Sequence, residues 1–66
     1  MKWTDARFEK FCENTRRDTE SDTGQDIGQL APDLASGILA GDTELRAWLR
    51  KRTEDPVGYL AESLVG

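Results

Sequence analysis

Residues 41–52 read Gly41-Asp42-Thr43-Glu44-Leu45-Arg46-Ala47-Trp48-Leu49-Arg50-Lys51-Arg52, and their reading decides the fold. Asp42 is a strong N-cap, because its carboxylate can accept from the free N–H groups of a first helical turn. Gly41 just before it is a natural stop for a preceding helix. Leu45, Trp48 and Leu49 are spaced three and four apart, so a helix puts them on one face. Asp42 and Glu44 fall in the first turn and Arg50, Lys51 and Arg52 in the last, an order that complements the helix dipole. Asp42 with Arg46 and Arg50 with Glu54 are opposite charges four residues apart. The stretch is therefore a capped amphipathic helix, and the flanking segments are expected to bury Trp48. Arg52 falls on the apolar side, where it either snorkels at the helix end or points into a partner.

The same grammar extends in both directions. Trp3 to about Arg17 reads as a first helix, with Thr4 as N-cap and Trp3 set to pack on Phe8 as a hydrophobic staple, or else exposed as an interface anchor. Phe8, Phe11, Cys12 and Thr15 share a face. Residues 14–26 hold no apolar side chain, and a solvated polar loop is expected at about 17–25. Thr23 then opens a segment with Asp26 in a capping-box position. Ile27, Leu30, Ala31, Leu34 and Ile38 keep helical phase, but Pro32 interrupts them. Proline removes a hydrogen bond and crowds the carbonyl four residues back. The expectation is a short turn of helix from about Gly24 to Leu30 and a second helix from Pro32 to Ala40, with one kinked helix as the alternative. Gly37, near the apolar edge, suits close approach of another helix. Asp55 and Pro56 form another start signal, followed by a stripe of Val57, Leu60, Ala61 and Leu64 with Tyr59 on the opposite side. No alternating pattern supports a strand. The expected fold is all-α: one domain over residues 1–66, a small bundle of four short helices, or five if Pro32 divides the middle segment.

The bulk numbers narrow the partners. In 66 residues a single core supplies only about 3–5 kcal/mol. The net charge of -4 opposes whole-surface attraction to nucleic acid or anionic lipid. It suits a binder of a basic surface or a salt-adapted protein. One cysteine, Cys12, cannot build an internal disulfide framework, and its place on the apolar side predicts a buried thiol. No signal-peptide pattern follows Met1 and no apolar run approaches bilayer length, so a cytoplasmic chain without membrane contact is expected.

The chemistry-bearing residues are few. There is no histidine, which with a single cysteine removes thiol–imidazole pairs, histidine triads and the usual zinc sites. Gly24 and Gly28 match neither phosphate-loop fingerprint. Asp18, Glu20, Asp22 and Asp26 alternate like calcium ligands, but an EF-hand loop starting at Asp18 would need glycine at Thr23 and an acid at Gln29. Glu9 and Glu13 read as a solvated helix face. No enzyme activity, cofactor or metal is expected.

The segment Leu30-Ala31-Pro32-Asp33-Leu34-Ala35-Ser36-Gly37-Ile38-Leu39-Ala40-Gly41 resembles a short helix of phage-type site-specific recombinases, which there follows a helix-turn-helix. The resemblance covers this segment alone and implies a DNA-related role. In size, acidity and helical character the chain is also similar to small inhibitors and regulators of phages and mobile elements. Two readings follow. The first is a non-enzymatic module that binds a larger protein as an inhibitor, adaptor or regulator, through Arg46, Arg50, Arg52 and Tyr59. The second is a DNA-binding or DNA-associated transcriptional or recombination regulator, dimeric, with the Arg46–Arg52 helix on phosphates. A homodimer is compatible with either.

Overall fold

A computed structural model describes residues 2–66. It is an all-α bundle of four helices among these residues: α1 (Asp5–Thr23), α2 (Ile27–Gly41), α3 (Thr43–Arg50) and α4 (Pro56–Val65).

Each helix starts where a side chain satisfies its free N–H groups. Thr4 caps α1, its hydroxyl accepting from the Arg7 N–H at 3.1 Å. Asp42 caps α3, accepting from Leu45 N–H at 2.9 Å. Asp55 caps α4 through Gly58 N–H at 3.1 Å, with Pro56 at the first helical position. For α2 the cap is Asp26, which accepts from Gly28 N–H at 3.0 Å, and not Thr23.

Thr23 instead ends α1, its hydroxyl donating to the Thr19 carbonyl at 2.7 Å. The helix thus runs through most of the stretch expected as a loop. A polar sequence does not stop a helix whose residues need not face a core. The stop is Gly24, in the left-handed region at φ 68°, whose N–H reaches the Glu20 carbonyl at 3.0 Å. Only Gly24–Asp26 remains as a connection.

Nor does Pro32 divide α2, which continues to Gly41 as one helix. Proline here deprives the Gly28 carbonyl of its usual donor, but Gly28 and Pro32 are both exposed, so water can take that donor's place. At the other end a single residue, Asp42, turns the chain from α2 into α3. The helix expected to reach Arg52 ends at Arg50, and the Leu49 carbonyl takes the N–H groups of Arg52 and Thr53 in a closing turn.

The main packing is between helices that are not consecutive in the chain. Phe8 lies beside Tyr59 and Arg16 beside Ser63, so α1 and α4 run in the same direction. Asp42, at the end of α2, shares a surface depression with Trp3 and Ala6, so α2 returns towards the start of α1. The most extensive packing is α2 against α4.

The buried core consists of Phe8, Cys12, Ile27, Ala31, Ala35, Leu39, Leu45, Leu49, Leu60 and Leu64. On α2 the four buried residues fall every fourth position, and the two central ones are alanines. These small side chains leave room at the heart of the bundle, where Leu60 and Leu64 of α4 are fully buried. The larger Leu30, Leu34 and Ile38, read from the sequence as part of the same apolar series, lie half-buried at its flank. Trp48 is likewise half-buried, at the edge of a core whose α3 share is Leu45 and Leu49. At Gly37 an added Cβ would meet nothing within 4 Å, so no helix approaches there.

Candidate interaction surface

The four residues singled out from the sequence fall into two places. Arg46 and Arg50 are exposed on α3. The ion pairs expected for them, with Asp42 and Glu54, do not form; among the described residues the salt bridges are Glu13–Arg17 and Asp5–Arg52. Both arginines therefore present their guanidinium groups to solvent without an internal acid.

Arg52 is occupied within the molecule. Its guanidinium sits over the Trp48 ring, 4.2 Å from the centroid, and pairs with Asp5. It thereby ties the turn after α3 to the first turn of α1. Tyr59 does not project away from the bundle. It is half-buried, with its ring 6.1 Å from that of Phe8. Arg52 and Tyr59 both line a cleft of about 550 Å³ between α1 and α4, with Phe8, Cys12 and Arg16. The Cys12 thiol is buried as expected, at 4% exposure. That burial pushes its pKa up, and the positive charge of Arg16 partly opposes the shift.

A feature that sequence spacing did not assemble is the continuity of the aromatic residues. Trp3 meets Phe11 edge-on at 5.5 Å and lies 6.5 Å from Trp48, and Trp48 lies 5.2 Å from Phe8. The staple expected between Trp3 and Phe8 is thus replaced by contacts of Trp3 with Phe11 and Trp48. The Arg7 guanidinium covers Trp3 at 4.0 Å. The sequence placed Trp48 on the apolar face of its helix and Trp3 as a staple or an interface anchor, but their meeting depends on α2 bringing α3 back to the start of α1.

Around Trp3 and Trp48 the surface is open and lined by mixed side chains. One depression of about 620 Å³ is bounded by Lys2, Trp3, Glu44, Ala47, Trp48 and Lys51. A second, of about 630 Å³, continues on the other side of Trp3 along Ala6, Lys10 and Phe11. Among the described residues no group of three or more histidine, cysteine or acidic side chains is placed to hold a metal ion. No described helix is long and apolar enough to cross a membrane. Comparison with known proteins finds no matching family model, no matching curated protein and no matching solved structure.

Proposed function

We propose that this chain is a small non-enzymatic interaction module that acts by occupying a surface of a larger protein, as an inhibitor or regulator of the phage or mobile-element kind. The observation that carries the reading is the solvent side of α3. Arg46 and Arg50 stand exposed with no ion pair among the described residues, and the half-buried Trp48 of the same helix lies next to the half-buried Trp3. Arginine and tryptophan are the side chains that most often dominate binding energy at protein interfaces, where an apolar anchor is ringed by polar contacts. Ala47, small and exposed between these groups, lets a partner come close to the helix backbone.

The test is affinity capture with the tagged chain and with its Arg46→Ala/Arg50→Ala variant, each with and without nuclease. One stoichiometric protein that survives nuclease, and is retained less by the variant, is the expected result. Retention equal for both chains would remove Arg46 and Arg50 from the interface.

A DNA-associated role is the second reading, favoured by the three cations Arg46, Arg50 and Lys51 on one exposed stretch. It predicts loss of all captured material on nuclease treatment and an affinity that falls steeply with salt. Flat salt dependence would remove it.

A further inference from the structure

From the face around Trp3 and Trp48 we infer the chemistry of the partner: a short acidic segment of a protein that also carries bulky apolar side chains. The inference rests on the reading of the chain as an interaction module and names the chemistry that the Trp3 and Trp48 part of that surface would recognise. The two depressions flanking Trp3 have the same construction. Both are lined by apolar side chains, from Trp3, Ala6, Phe11, Ala47 and Trp48, together with the lysines Lys2, Lys51 and Lys10. These three lysines are exposed and make no ion pair among the described residues. Arg7 adds a fourth positive charge on the same side. The acids on this face are Glu44 and Asp42, and the Asp42 carboxylate is engaged as the cap of α3. Positive charge therefore prevails locally in a chain whose total is -4.

One feature selects an acidic peptide over a single-stranded nucleic acid. Nucleotide-binding platforms offer open ring faces for base stacking. Here each indole already has a guanidinium over it and aromatic neighbours beside it, leaving gaps between side chains that suit aliphatic groups. A short peptide sets a few carboxylates against the lysines and inserts its apolar side chains between them.

The chain's two tryptophans both lie in this face, so their emission reports its occupancy directly. The probe is a peptide of about 12 residues composed of Glu and Leu, roughly 18 Å long if helical. Three controls replace Glu by Lys, replace Leu by Ser, or substitute an oligothymidylate. Saturable change of tryptophan emission with the Glu/Leu peptide alone is expected. The Lys2→Gln/Lys10→Gln/Lys51→Gln variant should bind about tenfold more weakly, the combined effect of losing three modest exposed ion pairs. Its far-UV circular dichroism should match that of the unmodified chain, as befits three exposed positions. No emission change, equal binding of the Lys/Leu peptide, an unaffected triple variant, or tighter binding of the oligothymidylate would each overturn the inference. A nuclease-resistant partner captured equally by the triple variant would overturn it too, while leaving the interaction reading in place.

Discussion

Arg16 of α1 donates from Nη1 to the carbonyl oxygen of Ser63 at 2.9 Å, and so closes the C-terminal end of α4 from the neighbouring helix. The last carbonyls of a helix have no intrahelical donor and carry partial negative charge, so a half-buried guanidinium satisfies both needs. No basic residue lies in the last turn of α4 itself. Arg16→Ala should therefore cost about 1–2 kcal/mol, the range for a charged hydrogen bond at a partly buried helix end. Urea denaturation measures the loss, and amide exchange at Leu64 and Val65 should accelerate more than exchange in α2. An unchanged midpoint would show that solvent caps α4 equally well.

The pairing of small and large residues between α2 and α4 gives a sharper test of the core. Ala35 is fully buried, and Leu60 and Leu64 are fully buried on the helix packed most extensively against it. Ala35→Leu adds a branched side chain where close packing leaves no room, at a cost of about 1–3 kcal/mol. The converse change, Leu60→Ala, leaves a cavity and costs about 2–5 kcal/mol. Against a core of about 3–5 kcal/mol, the second change should leave a large unfolded fraction at room temperature, visible by circular dichroism. If Ala35→Leu were neutral in thermal denaturation, the centre of the bundle would be looser than this packing implies.

The signals that were legible in the sequence are those set by local chemistry. The caps Thr4, Asp42 and Asp55 and the Pro56 start act within one turn, and each stands where its side-chain type predicts. The all-α class followed from the spacing of apolar residues. What spacing could not supply was the competition between neighbouring signals. Thr23 and Asp26 both resemble caps, and the left-handed Gly24 between them assigns Thr23 to the end of α1 and Asp26 to the start of α2. Pro32 reads as a break by itself, yet one lost hydrogen bond near an exposed end is outweighed by the continuous buried row from Ile27 to Leu39. The candidate site divided for a related reason. Arg46 and Arg50 lie on the solvent side of α3, whereas Arg52 and Tyr59 depend on α1, whose position is a tertiary fact.

Gly37 offers a stabilising substitution. It lies in the interior of α2, is exposed, and an added Cβ would touch nothing within 4 Å. Glycine in a helix costs about 0.5–1 kcal/mol relative to alanine, because it has more freedom to lose on folding. Gly37→Ala should raise stability by that amount, measurable as a higher denaturation midpoint with an unchanged urea slope. Gly58 should respond oppositely. A Cβ there would run into the Asp55 carboxylate that caps α4. A loss of stability for Gly37→Ala would mean that position 37 is packed against something in solution.

The buried thiol predicts a pH dependence whose sign is fixed. Burial holds the Cys12 pKa above its ordinary value, with Arg16 opposing in part. Well below the unfolded-state pKa the thiol is protonated in both states and contributes no slope. As pH rises through the ordinary thiol range of about 8.5–9, unfolded chains ionise first, so the unfolded state binds fewer protons and stability falls. The fall ends only above the raised folded value. The informative quantity is the difference between this chain and Cys12→Ala, which should show a shallower decline between about pH 8.5 and 10. Alkylation gives an independent reading, because the reacting species is the thiolate and Cys12 is buried at the wall of the α1–α4 cleft. Iodoacetamide should modify Cys12 about tenfold or more slowly in the folded chain than in urea. Equal rates would show that the cleft exposes the sulfur, and an identical pH slope for Cys12→Ala would place the titrating group elsewhere.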